Sequence, residues 1–362
     1  MRSADQRLHG IDALKGIACA LIVWHHLAFY GPMSDVVHAV VPGLTGWLYD
    51  HGRMAVQVFL VVGGFLAASS LAPEGSAAFT QPGRLMLRRY RRLVPPYLVA
   101  LAVCVLVAAL VRPWFAHPSV PAAPTWLQAV AHVLLLQDVL GQEALSAGVW
   151  YVAIDFQLFA TSVMIFAFAR KLQQRWPQVP ARLGVGLMLL LAAASLFFFN
   201  RHAGLDVTAL YFLGSYALGM LAFWASRAAG KAQQAQWLLL AIALLGGAAL
   251  LLDFRGRIAL ALLVALGLVW LQKSAVARQW REPRWLVKLG QISYSVFLIH
   301  FPVCLLVNAV VSFFWPTQLI ANALGLLVAF LLSLLAGAVL YRSVESRQLP
   351  VRGVVKARPL SP

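Results

Sequence analysis

The chain has 362 residues, 61% hydrophobic and 11% charged, with a mean hydropathy of +0.79. A soluble domain carries about twice that charged fraction, so the composition excludes an ordinary water-soluble globule and points to an all-α integral membrane protein, a helix bundle that satisfies its own backbone hydrogen bonds in lipid. The formal net charge of +17 reads as the bias of basic residues toward cytoplasmic loops rather than as a nucleic-acid surface.

In chain order, apolar runs lie near 11–31, 54–72, 93–111, 149–169, 183–199, 207–225, 236–252, 258–272, 290–313 and 318–341, which predicts ten spans. A further run, Trp126–Leu140, is only 15 residues long and carries His132, Gln137 and Asp138. It is short for a span and suits an interfacial or re-entrant helix. Charge parity supports ten. With the N-terminus inside, 24 of the 29 basic residues fall in cytoplasmic segments, leaving only Arg53, Arg112, Arg201, Arg255 and Arg257 outside. Counting 126–140 as a span would move sixteen of those 24 to the wrong side. Both termini are therefore expected to be cytoplasmic, with 1–342 as the membrane domain and 343–362 as a basic tail. The first run lacks a small-residue cleavage pattern and is expected to be retained as an anchor. Cys19, Cys104 and Cys304 lie in apolar runs without metal-ligand spacing and read as small hydrophobes; no metal site is expected. Trp24, Trp47, Trp150, Trp285 and Trp315 fall near span ends and read as interfacial belt residues.

The first run, HGIDALKGIACALIVWHHLAFY from His9 to Tyr30, carries the most unusual charges. Lys15 and His26 are eleven positions apart, three helical turns plus about 20°, and so share a face with about 16 Å between them along the axis. His25 points about 100° away and is secondary. Ionisable groups inside a membrane are costly and usually serve a function; the competing reading is an anchoring lysine plus a packed histidine. Asp155 is the acidic residue most clearly inside a span. It is placed either to orient a histidine or to neutralise a buried cation such as Lys15 or Arg53. His300 lies in the ninth span two residues before Pro302, where helix irregularity often lines a cavity; a packed histidine is an equal reading. The RRYRR cluster, Arg88 to Arg92, could bind phosphates by bidentate hydrogen bonds or simply anchor the chain at anionic lipid.

Five stretches carry a resemblance. IDALKGIACALIVWHH, with Lys15, ten residues and then His26, resembles the first-helix signature of membrane acyltransferase family 3, which includes O-antigen, peptidoglycan and Nod-factor O-acetylases. GRMAVQVFLVVGGFL (52–66) resembles the second-helix motif, with Gly63 where the family often has Ser. LRRYRRLVPPYL (87–98) resembles the arginine-rich motif, and ISYSVFLIHFP (292–302) the late Ser-Tyr…His-x-Pro motif. GVWYVAIDFQLF (148–159) resembles a motif of Trp, acidic residue and Gln, with Asp155 for the more usual Glu and Phe156 for a second acid. The resemblance covers essentially the whole chain.

It implies a membrane O-acyltransferase of the bacterial inner (plasma) membrane, moving an acyl group, acetyl above all, from cytoplasmic acyl-coenzyme A to a hydroxyl of a glycan or lipid-linked saccharide. Acetyl-coenzyme A would be a co-substrate, with no cofactor bound permanently. Acyl transfer to a hydroxyl needs a base and a stabiliser of the tetrahedral oxyanion. His26 would be the base or acyl relay and Asp155 its orienting partner, while Lys15, Arg88, Arg89, Arg91 and Arg92 would engage the donor. Asp12, His25, Arg53, Gln157, Tyr294 and His300 are candidate cavity-lining residues. A small secreted acceptor such as a macrolide, or a secondary transporter or flippase of the same span count, is the alternative.

Overall fold

The computed structural model describes residues 4–228, 232–279 and 281–348, and is all-α with no strand among them. Helix α1 (Ala4–Phe29) is followed by the short α2 (Met33–His38) and α3 (Pro42–His51), and a 3-10 turn (Gly52–Ala55) leads into α4 (Val56–Leu71). Then come α5 (Pro82–Val111), α6 (Trp126–Val133), α7 (Val149–Arg175), α8 (Leu183–Phe197), α9 (Ala209–Arg227) and α10 (Ala232–Leu252). The chain continues with α11 (Gly256–Lys273), α12 (Ala275–Gln279), α13 (Arg284–Phe314) and α14 (Leu319–Leu340). A π turn (Tyr341–Glu345) and a short helical turn (Ser346–Gln348) follow. The boundary expected between 342 and 343 falls inside that π turn. Residues 349–362 of the expected tail, like Arg2 and Lys231 of the charge count, lie outside the described residues.

Ten helical segments among the described residues are long and apolar enough to cross a membrane, and they coincide with the ten runs read from the sequence. Two extend beyond their hydropathy. The second begins at Pro42 rather than near 54: Asp50, His51 and Arg53 interrupt the apolar pattern but not the helix, which continues through the 3-10 turn. The third begins at Pro82, because the arginine-rich stretch is already helical and α5 runs on through Pro95 and Pro96. Each proline removes a backbone donor, a loss that a helix in a bundle tolerates when neighbours re-satisfy the freed carbonyls.

The 126–140 segment is not among the ten. Only eight residues are helical, about 12 Å of rise against a core of about 30 Å. Thr125 and Gln128 close a capping box at its start, and Trp126 is 86% exposed, as an interfacial helix would be. The following stretch folds back into the bundle: Leu135, Gln137, Leu145 and Ser146 are buried.

The core has two centres. Helix α13 packs against α14, α1 and α5, and α9 packs against α4, α8, α10 and α11. Nearly all of α9 is buried, whereas α10 turns Leu240, Leu244, Leu251 and Leu252 outward, the pattern of a helix facing lipid. The α1–α13 contact is made through two glycines. A Cβ at Gly16 would stand 2.5 Å from the Leu286 carbonyl oxygen and 3.2 Å from the Gly290 nitrogen, and one at Gly290 would stand 1.7 Å from the Asp12 carbonyl oxygen. Small residues let membrane helices approach this closely. The contact also sets register. His26 and His300 each lie ten residues beyond their glycine, so two helices running the same way carry both to the same level, about 15 Å along. Trp47, Trp285 and Trp315 are exposed. Trp24 and Trp150 are half-buried and stack on Phe330 and Phe212. The three cysteines are free and buried.

The charge pattern makes the orientation testable. Reporter fusions at 84–92, 170–182 and 273–288 are expected to report cytoplasmic, and a fusion in the 112–125 loop external. An external 170–182 loop, with 84–92 still cytoplasmic, would require the 126–140 segment to cross.

Candidate active site

Helix register brings the two intramembrane histidines together. His26 Nδ1 lies 2.6 Å from His300 Nε2. The ring centroids are 4.8 Å apart and the planes differ by 4°. With so short an N···N contact, that centroid separation places the rings edge to edge in one plane rather than face to face. His300 Nδ1 is 2.7 Å from the Phe297 carbonyl oxygen. A carbonyl only accepts, so His300 Nδ1–H donates, and His300 Nε2 is left as an acceptor. His26 Nδ1–H must then donate to it, which makes His26 Nε2 the unprotonated, basic nitrogen. The chain carbonyl–His300–His26 thus fixes the tautomer of His26 as a carboxylate does in a hydrolase triad. Both rings are buried; Tyr30 packs against His26, and Phe301 against Tyr30.

His25 does something else. Its Nδ1–H donates to the Leu48 carbonyl at 2.9 Å, tying the end of α1 to α3, so the adjacent histidines divide into a ring of the site and a structural clamp.

Below the histidines lies a cavity of about 170 Å3. Lys15 of α1, a stripe of α4, Arg89 and Arg92 of α5, Tyr151 and Asp155 of α7, Tyr294 and Phe297 of α13, and Glu345 of the π turn line it. Phe297 links the two parts, its carbonyl holding His300 and its side chain lining the cavity. A larger cleft of about 550 Å3 among Arg182, Trp224, Arg227 and Trp237 shares no lining residue with this one, and neither is lined by a histidine: His26, His300 and His25 border the smaller cavity only through Phe297 and their neighbours, and Asp12 only through Lys15. The chemistry converges on the smaller cavity.

Asp155 does not meet His26. Its Oδ2 accepts from Arg89 Nη2 at 2.6 Å, so the expected carboxylate–histidine pair is replaced by a carboxylate–guanidinium pair. A full cation within reach outcompetes a neutral imidazole for a buried carboxylate. Nor are Lys15 or Arg53 its partners: Lys15 Nζ pairs with Asp12 Oδ1 at 3.0 Å, and Arg53 is exposed and outside the cavity. The arginine cluster divides by helical face. Arg89 and Arg92 line the cavity, Arg92 from its exposed rim, whereas Arg88 and Arg91 do not line it. Tyr294 is at the site, its hydroxyl donating to the Leu93 carbonyl at 2.9 Å. Gln157 is not; its Oε1 accepts from Ala209 N at 3.2 Å and caps α9. Among the described residues, no three His, Cys, Asp or Glu side chains gather as a metal site.

Glu345 is the residue the sequence reading passed over. It is 6% exposed, accepts from the Ser295 hydroxyl at 2.6 Å, and faces the cavity from a π turn, a feature frequent at functional sites. With only 12 acidic residues in the chain, an acid five residues past the end of a long apolar helix was the available signal.

Residues 8–342 match the family model described as an acyltransferase domain, family 3. Acyltransferase MdmB of Streptomyces mycarofaciens is 27% identical over 128 residues, 34% of this chain and 31% of that protein. The match thus spans about a third of either chain. No solved structure matches.

Proposed function

From the premise that this chain belongs to membrane acyltransferase family 3, we propose that it moves an acyl group, acetyl above all, from cytoplasmic acyl-coenzyme A to a hydroxyl of a glycan or lipid-linked saccharide at the bacterial inner membrane. The observation that carries this reading is the histidine pair. His26 Nε2 takes the proton of the acceptor hydroxyl, and the oxygen attacks the thioester carbonyl. The carbon–sulfur bond breaks, and the protonated imidazole returns its proton to the leaving thiolate. His300 orients the ring and shares the charge while His26 is protonated. His300 thus takes the orienting role expected of Asp155, which instead holds Arg89 in the cavity wall.

The cavity is small against the roughly 300–1,000 Å3 of sites that enclose a whole ligand, so it takes the thioester end of the donor. The phosphates stay at its rim, where Lys15 and Arg92 face them. Arg89 is already bonded to Asp155, and Arg88 and Arg91 point away. Binding of acetyl-coenzyme A to the purified protein tests this. Arg92→Gln is expected to weaken it about tenfold or more, the cost of one charged hydrogen bond, while Arg88→Gln with Arg91→Gln changes it little. Equal losses from both sets would make the cluster a diffuse anchor rather than a donor site.

The enzyme reading itself rests on labelled transfer. Membranes containing the protein are expected to move label from acetyl-coenzyme A into endogenous saccharide, and membranes lacking it are not. Label remaining entirely on the thioester would favour the transporter reading.

A further inference from the structure

Four residues of α4 face the cavity, Phe59, Val62, Gly63 and Leu66, spaced as one helical stripe. Three carry large apolar side chains and one carries none. The bare position is not forced by packing, as its neighbour shows. A Cβ at Gly64 would lie 1.8 Å from the Tyr216 carbonyl oxygen, where backbone meets backbone and nothing but glycine fits. A Cβ at Gly63 would first meet a ring carbon of Tyr216 at 3.3 Å, and then Asp155 Oδ1 at 3.7 Å. The obstacle is the edge of a buried side-chain ring rather than backbone, so a shift of a few tenths of an ångström in that ring is all that a methyl asks. Interior glycine weakens a helix relative to alanine, so an unforced glycine on a cavity wall is explained by the space it leaves.

A side chain added there would point between the Tyr216 ring and Asp155, at the edge of the cavity that Gly63 and Asp155 both line. The Asp155 oxygen held by Arg89 is Oδ2, so Oδ1 is the oxygen that faces the gap at Gly63. In a cavity of about 170 Å3, one added carbon is a sizeable part of what a short acyl group could occupy.

We propose that Gly63 is the residue that sets acyl size, its missing side chain leaving the slot that receives the acyl end of the donor thioester. The inference rests on the acyl-coenzyme A reading above and deepens it. Substitution of Gly63 narrows the slot and discriminates against longer chains, while the coenzyme A part of the donor, held at the rim, is bound as before. One methylene in an apolar pocket is worth about 10–200-fold in discrimination.

The test is equilibrium binding of coenzyme A, acetyl-, propionyl- and butyryl-coenzyme A to the purified full-length protein in lipid nanodiscs, for the parent, Gly63→Ala and Gly63→Ser. The ratio of butyryl to acetyl affinity is expected to fall about tenfold or more in both variants. Thermal unfolding of Gly63→Ala should match or exceed the parent, because alanine favours the helix. Gly64→Ala should reduce the folded yield. An unchanged acyl ratio overturns the proposal. So does a parallel loss for all four ligands, unacylated coenzyme A included, which would place the pantetheine arm in the slot. If the folded parent binds none of the four, the donor reading fails, and this inference with it.

Discussion

His26→Ala is expected to lower acyl transfer by about 10²–10⁴-fold, the range a positioned general base contributes, with donor binding retained. His25→Ala should leave measurable transfer and lower stability instead, because it removes the bond to the Leu48 carbonyl. The informative variant is His300. His300→Ala deletes the acceptor that fixes the His26 tautomer, and a wrong tautomer is costly even when every catalytic group is present. A loss of about 10²-fold or more in turnover is expected, with little change in donor affinity. His300→Gln carries a side-chain oxygen near the place of Nε2 and should recover part of the rate. A structural histidine would show neither the turnover-specific loss nor the rescue.

The second large effect concerns Arg89 and Asp155. Their side chains are 27% and 9% exposed and meet at 2.6 Å, so removing either partner strands a charge in the bundle. Breaking a buried pair typically costs 3–5 kcal/mol, and Asp155→Asn or Arg89→Gln alone is expected to unfold well below the parent. The double variant removes both charges. It should recover much of the stability while remaining poor in donor binding, since the cavity wall loses its shape and polarity. Thermal unfolding of the four proteins in one lipid composition gives the coupling. Additive losses would mean that the pair is not joined in solution.

The sequence made the architecture legible because hydropathy, span length and charge parity all act along the chain. Ten runs of lipid-compatible residues must be helices, and basic residues report their sides. Helix ends were less legible. Polar residues at 50–53 and 84–92 break the apolar pattern, while the backbone continues as helix because neither stretch contains a proline. Of the site, His26 could be found because two ionisable groups on one helical face stand out in an apolar run. Its partner could not. The meeting of His26 with His300 depends on the Gly16–Gly290 contact, a through-space register invisible to periodicity within either helix. Of the two readings of Asp155, orienting a histidine or neutralising a buried cation, the pairing with Arg89 matches the second; its depth was readable, but which cation α5 would bring to that depth was not. Glu345 was hidden by its basic surroundings, which read as a tail.

The central claim is that His26, with its tautomer set by His300, is the base of an acyl transfer from acyl-coenzyme A. One measurement tests it most directly. Inverted membrane vesicles expose the expected cytoplasmic face to added isotopically labelled acetyl-coenzyme A, and label in saccharide is followed over time for the parent, His26→Ala, His300→Ala and His300→Gln at matched protein levels. The account predicts transfer by the parent, a rate lower by about 10²–10⁴-fold for His26→Ala, a rate lower by about 10²-fold or more for His300→Ala, and an intermediate rate for His300→Gln. Full transfer by His26→Ala, or equal rates for the parent and both His300 variants, would contradict it.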